Sequence, residues 1–354
     1  MAVNLISERL PNGLKGCIDW LSWTFGINCG MSPSEVVLFL GFDVSDFLEL
    51  PRGANGYKNM MLLNGYNIRI LYEGNSNMGI HVDVSGSAIF ELVNSWKQKK
   101  KKDNSDGFKN EPLLSLLNTL SKIATFTRID LAVDDIGCQY YSCDDVVRLI
   151  ENQQIVSKFR EYDNKVPRSI IDGEKLGHTI YLGSNKSDIK LRIYDKRLEQ
   201  LNKHKTDCGC EWIRWELELK KERADQAVRQ LLDYGHLSII CIGILSHYLR
   251  FIINDNPNRS RCSIEWTWKK FIDDMKRMSL YIPSAPKNIE DTRRWINDCV
   301  GASISAVIEF DGGSMDFFYA NLLQWQSKRM NNKELTARLI RSEQENSYEA
   351  SRSV

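Results

Sequence analysis

The stretch Arg128-Ile-Asp-Leu-Ala-Val-Asp134 alternates polar and apolar side chains with the two-residue period of a β-strand. One face would carry isoleucine, leucine and valine toward a core, and the other would carry Arg128, Asp130 and Asp134. Antiparallel sheets commonly bury one face and expose the other, so mixed charges on a single strand are ordinary. The stretch therefore predicts a strand with one core face and one ionic face.

Two later strands share this division into a core face and an ionic face. In the stretch Ile213-Arg-Trp-Glu-Leu-Glu-Leu219, the ionic face carries Arg214, Glu216 and Glu218. In Lys190-Leu-Arg-Ile-Tyr-Asp-Lys196, the ionic face carries Lys190, Arg192, Tyr194 and Lys196. If the three strands are neighbours, clustered carboxylates lie beside a phenol flanked by cations, which a solvated face does not explain.

This arrangement suggests a metal-assisted nucleophilic reaction. Carboxylate oxygens suit hard ions such as Mg²⁺ or Mn²⁺. A tyrosine ordinarily has a pKa of about 10, and adjacent cations favour its phenolate, the form that attacks a phosphate polarised by a metal. Tyr194 is the candidate nucleophile, and a half-buried structural tyrosine is the alternative at that position. Tyr140 and Tyr141, a pair without flanking cations, are rival nucleophiles.

The rest of the chain predicts an α+β protein. Strands separated by turn-forming Gly and Asn dominate the first two-thirds, so we expect a largely antiparallel sheet with flanking helices. The composition changes after Asn254, and Pro283 and Pro286 mark a linker. The expected organisation is an N-terminal extension (1–14), a catalytic domain (15–275), a small helical C-terminal region (276–342) and a disordered tail (343–354).

Composition excludes several classes of protein. The 354 residues are 42% apolar and 26% charged, which excludes a collagen, a coiled-coil rod and a wholly disordered chain. No apolar run approaches the roughly 18 residues that span a membrane, and the N-terminus lacks the features of a signal peptide. Nine scattered cysteines without a secretion signal are typical of reduced thiols. The expected location is the cytoplasm, with no membrane partner.

Two basic segments are candidates for contact with nucleic acid. The lysine-rich run at 97–102 is expected to lie in an exposed loop. The segment after Asn254 combines cations with aromatic rings that can stack on unpaired bases; it contains Arg259, Arg261, Trp266, Trp268, Lys269 and Lys270. The alternative for its tryptophans is that they anchor a helix to the sheet. The net charge of +1, from 47 basic and 46 acidic side chains, leaves room for such local basic surfaces.

Six short blocks occur in the order that is typical of one protein family. They are Asp19-Trp-Leu-Ser-Trp-Thr-Phe25, His81-Val-Asp-Val-Ser-Gly-Ser87, Arg128-Ile-Asp-Leu-Ala-Val-Asp-Asp135, Tyr181-Leu-Gly-Ser-Asn-Lys-Ser187, Arg192-Ile-Tyr-Asp-Lys196 and Arg214-Trp-Glu-Leu-Glu218. Together they resemble the Rep_trans replication initiation factors, over roughly residues 15–275. That family includes rolling-circle initiators of plasmids, replication proteins of filamentous phages and relaxases of conjugative elements.

The resemblance implies an enzyme that nicks DNA at an origin. In this family a tyrosine attacks a phosphodiester, stays joined to the 5′ end and leaves a free 3′ hydroxyl for synthesis or strand transfer. By motif position that tyrosine is Tyr194, with Arg192 and Lys196 holding the scissile phosphate or stabilising the transition state. The acidic residues that fall in family motifs, and would hold Mg²⁺ or Mn²⁺, are Asp130, Asp134, Glu216, Glu218 and Asp19. Further contacts to DNA from the same face are expected from Lys190, Arg128 and Arg214.

Histidines are not expected to form the metal site, because the five in this chain contain no His-hydrophobic-His triplet of the kind that HUH nucleases use. His81, beside Asp83, is the one histidine placed to join the carboxylates; the alternative is a structural or DNA-contacting residue. Specific origin recognition is expected from the segment after Asn254, with a catalytic-domain loop or the lysine run as alternatives.

The expected partners are double-stranded origin DNA, single-stranded DNA and a separate helicase, since no Walker A motif is present. Plasmid members of the family suggest a homodimer, whereas relaxase-like members need not dimerise. Two other functions remain alternatives: an origin-binding protein that has lost cleavage, and a metal-dependent nuclease that activates water.

Overall fold

The structure of the chain is a computed structural model. It describes residues 7–10, 12–102, 111–272, 289–330, 332, 335–336 and 338–340. The expected linker prolines and the tail at 343–354 lie outside the described residues. The chain divides into two compact units, Met1–Leu280 and Tyr281–Val354.

The first unit is built on antiparallel strands. They are β1 (Ser7–Arg9), β2 (Lys15–Phe25), β3 (Phe47–Leu50), β4 (Asn59–Leu63), β5 (Ile68–Tyr72), β6 (Ile80–Ser85), β7 (Ala124–Ile136), β8 (Ile155–Ser157), β9 (Tyr162–Lys165), β10 (Thr179–Leu182), β11 (Ile189–Asp195), β12 (Trp212–Lys220) and β13 (Leu249–Phe251). Within the described residues, eleven of these strands form one sheet in the order β3-β4-β5-β6-β2-β7-β12-β11-β10-β9, with β1 paired to β2. Strands β8 and β13 form a separate pair.

Helices of the first unit surround this sheet. They are α1 (Pro33–Phe39), α2 (Ala88–Lys102), α3 (Pro112–Leu120), α4 (Cys143–Glu151), α5 (Lys196–His204), α6 (Glu222–Tyr234), α7 (Leu237–Tyr248) and α8 (Trp266–Ile272). Short 3₁₀ helices occupy Ile27–Cys29, Val44–Asp46 and Arg259–Arg261. The expected α+β architecture with a large antiparallel sheet is confirmed.

The second unit is helical throughout its described part. Its elements are α9 (Ile289–Trp295), a π-helical turn (Ile296–Val300), α10 (Gly301–Phe310) and α11 (Asp316–Met330). No helix in the described part of either unit is long and apolar enough to cross a membrane.

The apolar faces of β7 and β12 lie in the core of the first unit. Ile129, Leu131 and Trp215 are at most 1% exposed there; α6 contacts both strands, and α7 contacts β7. Gly16 on β2 permits the close approach of α7, because a Cβ at this position would lie 2.7 Å from the Cα of Ser238. Because one face of each central strand packs in the core, the ionic side chains lie on the opposite face.

Two local expectations differ from the structure, and one helix was not predicted. The lysine run at 97–102 is not a loop but the last turns of α2, where Lys99 donates to the Leu38 carbonyl at 3.0 Å and Lys100 lies over Trp96. The described part of the expected N-terminal extension contributes β1 and the buried Leu10 to the first unit. Sequence periodicity also missed α7, because this buried helix is apolar on all sides and has no amphipathic period.

Candidate active site

Strands β7, β12 and β11 are neighbours, so the three ionic faces merge into one surface. Opposite Asp130 on β7 stands Glu218 of β12, and opposite Glu216 of β12 stands Arg192 of β11. The predicted juxtaposition of the three strands is confirmed by these registers. On the other side of β7, a β-bulge in β2 allows both Asp19 and Trp20 to face the same surface.

A cleft of about 1020 Å³ lies over this ionic surface. Side chains from β2, β7, β11 and β12 line it, together with the beginning of α2 and one side of α5. The carboxylates at its base are not solvated, since Asp130 is 1% exposed and Glu216 4%. A merely solvated polar face is therefore excluded, because charges withdrawn from water to this degree need specific partners.

The hydroxyl of Tyr194 lies at the centre of a hydrogen-bond cluster. It donates to Glu216 Oε2 at 3.0 Å and accepts from Arg192 Nη2 at 3.4 Å and from Lys196 Nζ at 3.3 Å. The same Arg192 nitrogen bonds Glu216 Oε1 at 2.7 Å, and the Arg192 guanidinium lies over the tyrosine ring at 4.4 Å. The phenol therefore touches one carboxylate and two cations.

The environment of Tyr194 differs from the expectation that its neighbours favour the charged form of the phenol. Tyr194 is 3% exposed, and burial, together with the charge of Glu216, raises its pKa well above the ordinary value; Arg214 and Arg192 only partly offset this. The resting side chain is therefore a neutral phenol. A phenol of this kind needs a base in contact with it to become a nucleophile, and Glu216 is that contact.

The junction between β11 and α5 explains how Lys196 reaches the phenol. Asp195 ends the strand and caps the helix, since its carboxylate accepts from the Leu198 backbone N–H at 2.9 Å. Lys196 is then the first helical residue, and its ammonium is held by Glu199. Glu199 also accepts from Lys203 at 2.7 Å, and these contacts lower the pKa of Glu199 to about 2 against the effect of burial.

A second cluster in the cleft is centred on Arg128. Its Nη2 lies 2.6 Å from Asp130 Oδ2 and 2.8 Å from Glu218 Oε2, and its guanidinium lies over Trp20 at 4.2 Å. Burial raises the pKa of Asp130 to about 7, the hydrogen bond and charge of Arg128 oppose this rise, and the neighbouring Glu216 and Glu218 add to it. Burial is therefore the main reason why Asp130 is less readily ionised than an ordinary aspartate.

A third cluster, around Arg214, is closed. Arg214 donates Nε to Asp134 Oδ1 at 2.6 Å and Nη2 to Asp134 Oδ2 at 2.9 Å, and Nη1 pairs with Asp19. Trp212 donates to the same Asp134 carboxylate. Asp134 and Asp19 are therefore both paired with an arginine in this structure, and Arg214 is only 6% exposed. All three line the cleft, and their expected roles in metal and DNA binding stay predictions.

Of the three clusters, the carboxylates around Arg128 are the ones best arranged to hold a divalent cation. In the described ranges, no three His, Cys, Asp or Glu side chains stand in an arrangement that could hold a metal. However, a single nitrogen of Arg128 already bridges Asp130 and Glu218, so the two carboxylates converge on one positive atom. Hard ions take such oxygens at about 2.0–2.6 Å. Asp130 and Glu218 therefore fit Mg²⁺ or Mn²⁺ once the guanidinium is displaced.

The rival tyrosines lie away from the cleft. Tyr141 is 3% exposed, donates to Glu265 at 2.6 Å and packs among aromatic rings on the core face of the sheet. The Tyr140 hydroxyl donates to the Asn12 carbonyl at 2.7 Å. Neither contacts the ionic cluster, so Tyr194 is the tyrosine that the geometry favours.

The segment after Asn254 only partly meets the expectation of a base-stacking surface. Trp268 is fully buried and packs against Trp215, which is the anchoring role considered as the alternative. Arg259 donates to the carbonyls of Gln153 and Ile155, so it braces the chain locally. Arg259 is exposed as well, but its guanidinium is held by these carbonyls; the other exposed members of the predicted set are Arg261, Trp266, Lys269 and Lys270. Since Trp215 belongs to the core face, this segment packs on the side of the sheet opposite the cleft.

Three further residues near the ionic surface are His81, Asp83 and Glu199. His81 contacts Thr24 at 2.9 Å and does not line the cleft. Asp83, which the sequence did not single out as a site residue, is 4% exposed and accepts from Trp20, Ser22 and Arg69. Glu199 was missed as well; its position three residues after Lys196 at a helix start was the available signal.

Comparison with known proteins identifies the family. The family model described as Replication initiation factor matches residues 124–323. The chain is 29% identical over 311 residues to "Putative DNA relaxase NicK" of Bacillus subtilis (strain 168), covering 86% of this chain and 84% of the relative. Its fold is similar to that of a rolling circle replication initiator protein from Geobacillus stearothermophilus, with a TM-score of 0.62 and 27% identity over 76% of this chain and all of that chain. The chain therefore belongs to the replication initiation factor family.

Proposed function

We propose that this replication initiation factor is an origin-specific DNA nickase and strand-transferase, with Tyr194 as its nucleophile. The observation that carries the proposal is the contact of the Tyr194 hydroxyl with one carboxylate and two cations. A carboxylate that accepts the phenolic proton and cations that stabilise the anion are what a tyrosine nucleophile requires. The family and both relatives support this class of reaction.

In the proposed reaction, Glu216 Oε2 takes the proton of the Tyr194 hydroxyl as that oxygen attacks the scissile phosphorus. The new O–P bond joins Tyr194 to the 5′ phosphate, while the bond from phosphorus to the 3′ oxygen breaks. The 3′ oxygen takes up a proton and leaves as a free hydroxyl. Attack by a 3′ hydroxyl on the phosphotyrosine reverses the step, which transfers or rejoins the strand.

Arg192 and Lys196 hold the phosphate above the phenol. Both line the cleft, and both contact the Tyr194 oxygen. Arg192 also has a buried Nε–H without a hydrogen-bond partner among the described residues, which leaves it a donor for a phosphate oxygen. Since Tyr194 is buried beneath these two cations, their movement toward the incoming phosphate opens the path to it.

A divalent cation, Mg²⁺ or Mn²⁺, is part of the proposed site. Asp130 and Glu218 would hold it, because their oxygens converge on one point beside Glu216. When bound, the ion would polarise a phosphate oxygen and offset the charge that develops there. Asp134 and Asp19 remain predicted ligands that the structure shows paired with Arg214, so they would have to leave that arginine to join the ion.

Binding to origin DNA as duplex and as single strand follows from this activity. Lys190 extends the cleft along β11, and the exposed Arg261, Trp266, Lys269 and Lys270 offer a second surface on the opposite side of the sheet. A separate helicase is the expected partner for strand opening. Dimerisation is an additional proposal, taken from the plasmid members of the family.

The test is covalent capture. Supercoiled DNA that carries the element's origin, incubated with the protein and Mg²⁺, should give a protein–DNA adduct on a denaturing gel. Tyr194→Phe should abolish the adduct with little change in stability, because one buried hydroxyl is lost while Arg192 still pairs with Glu216. Tyr141→Phe is the matched control and should retain the adduct.

The remaining outcomes separate the alternatives. Adduct formation by Tyr194→Phe at the wild-type rate would refute the assignment of the nucleophile. Cleavage that leaves a free 5′ phosphate without an adduct would identify a nuclease that activates water. Origin binding without any cleavage would identify a binding protein.

A further inference from the structure

Arg128 stands where the proposed metal would bind. A single nitrogen, Nη2, lies 2.6 Å from Asp130 Oδ2 and 2.8 Å from Glu218 Oε2, while Nε donates to Asp130 Oδ1 at 2.9 Å. The two carboxylates therefore share one positive atom. A divalent cation between the same oxygens would lie within bonding distance of that nitrogen, and two positive charges so close repel strongly. Arg128 and the metal cannot occupy this point together.

The side chain of Arg128 is partly exposed and has room in the cleft to move away from the two carboxylates. It is 27% exposed and lines the cleft, whereas the Asp130 side chain beneath it is 2% exposed. Its guanidinium lies over the Trp20 ring at 4.2 Å, a contact that does not depend on either carboxylate. A DNA phosphate in the cleft would offer the charge and the paired acceptors that a guanidinium prefers.

We propose that Arg128 is a resident cation that closes the Asp130–Glu218 site in the absence of DNA and leaves it for a DNA phosphate when a divalent ion enters. The proposal rests on the proposed metal-assisted nicking function. It makes metal binding and DNA binding cooperative, because DNA stabilises the displaced position of Arg128 and thereby vacates the metal site. By linkage, the metal raises DNA affinity by the same factor.

Lys220 provides a matched control for the charge of Arg128. It stands directly opposite Arg128 in the register of β7 and β12, and its ammonium bonds Glu218 Oε1. It has the same charge and shares one carboxylate, but no contact joins it to Asp130 among those that the structure records. Removing Lys220 therefore removes one nearby positive charge but leaves Arg128 in place between Asp130 and Glu218.

The experiment measures Mn²⁺ binding by electron paramagnetic resonance on the full chain in the Tyr194→Phe background, which prevents cleavage. Binding is measured with and without a single-stranded origin oligonucleotide. Without DNA, Arg128→Gln should bind Mn²⁺ about tenfold more tightly than the parent, within the usual range of coupling. Lys220→Gln should change the affinity much less. DNA should tighten Mn²⁺ binding to the parent by a similar factor and to Arg128→Gln hardly at all.

A stability measurement gives an independent readout. In EDTA, Arg128→Gln should unfold at a lower temperature than the parent, because two carboxylates lose their shared partner. Mn²⁺ should restore its stability by a larger shift than it gives the parent or Lys220→Gln, since at a given free concentration a ligand that binds more tightly stabilises the folded state more.

Each result has a defined meaning. Equal Mn²⁺ affinities in Arg128→Gln and the parent, with binding lost in Asp130→Asn, would overturn the role of Arg128 and leave the metal site intact. Equal effects of Arg128→Gln and Lys220→Gln would show a general charge effect and also overturn it. If neither the parent nor any variant binds Mn²⁺ with or without DNA, the metal-assisted part of the proposed function fails, and this proposal fails with it.

Discussion

Two arginines on the same face of the sheet each stand between two carboxylates, yet their surroundings differ. Arg214 pairs with Asp134 and Asp19, and its side chain is 7% exposed. Arg128 pairs with Asp130 and Glu218, and its side chain is 27% exposed at the wall of the cleft. The first is enclosed by Trp212 and neighbouring strands, whereas the second lies over Trp20 beside open solvent.

Residue type alone therefore does not distinguish a structural ion pair from an ion pair that exchanges its partners during function. Removing one member of a buried ion pair leaves an uncompensated charge in a medium that solvates it poorly, so such a pair must stay together. A partly exposed pair exchanges partners at much smaller cost, because water and ligands can replace either member. The exposed fraction of the guanidinium is therefore the property that separates the two roles.

The largest effect on stability is expected from removing the arginine of the buried Arg214 cluster. Arg214→Met should lower the free energy of unfolding by about 3–5 kcal/mol, because it strands the 2% exposed Asp134 carboxylate without its cation. Urea denaturation measures this directly. Arg128→Met should cost clearly less, because Glu218 keeps Lys220 as a partner and Asp130, whose pKa is already raised to about 7, can take up a proton when its cation is lost. Equal losses for the two variants would contradict the distinction drawn between them.

A third arginine extends the comparison to catalysis. Arg192 is 32% exposed, pairs with Glu216 and contacts the Tyr194 hydroxyl. Arg192→Met should slow nicking by about 10²–10³-fold, the usual cost of losing one donor to a developing anion. Single-turnover cleavage of a labelled oligonucleotide measures the rate. The variant also leaves the 5% exposed Glu216 side chain without this cation, so its urea midpoint should fall too, and the rate is therefore measured where the variant is fully folded. A nicking rate near that of the wild type would contradict this assignment.

The central part of this comparison could be predicted from sequence. A period of two residues places each of Asp130, Glu216 and Tyr194 on the ionic face of its own strand, and the pairing of β7, β12 and β11 then joins these faces as expected. The burial of Tyr194 could not be predicted, because it depends on Arg192, Lys196 and α5 closing over the phenol. The sign of its pKa shift followed from that burial.

Which arginine takes which carboxylate was equally beyond the sequence. The pairing of Arg214 with Asp19 depends on a bulge in β2, and a bulge changes the facing of residues without a local signal in the chain. Trp268 shows the same limit on the other face. Its spacing with Trp266 is compatible with DNA stacking or with anchoring, and only the position of Trp215 decides between them.

The cluster around Arg128 should also make the stability of the protein depend on pH. Burial raises the pKa of Asp130 from 3.8 to about 7, so between these values the folded protein holds a proton that the unfolded chain has released. Stability in EDTA should therefore fall as pH rises through this window, by up to about 1.4 kcal/mol per pH unit from this group, and level off above about pH 7. Urea unfolding at a series of pH values measures the slope.

Variants identify the group that titrates. Asp130→Asn should remove this contribution. Glu218→Gln should move the fall in stability to lower pH, because the Glu218 charge is one of the influences that raise the pKa of Asp130. An unchanged slope in Asp130→Asn would show that another group is responsible.

The smallest effect is expected at Glu199, which positions Lys196 from α5 without touching the phenol. Its two lysine contacts follow helical spacings of three and four residues, pairs that each contribute only a few tenths of a kcal/mol on an exposed helix. Glu199→Gln should therefore reduce the nicking rate by only about two- to fivefold, through a less ordered Lys196, while Glu199→Asp should recover part of the loss if it still reaches the ammonium. Since the pKa of Glu199 is about 2, the group stays ionised across the working range, and the ratio of wild-type to Glu199→Gln rates should not change between about pH 6 and 8. A ratio that varies with pH would mean that Glu199 takes part in proton transfer, and a loss as large as that of Arg192→Met would place it among the groups that act on the phosphate directly.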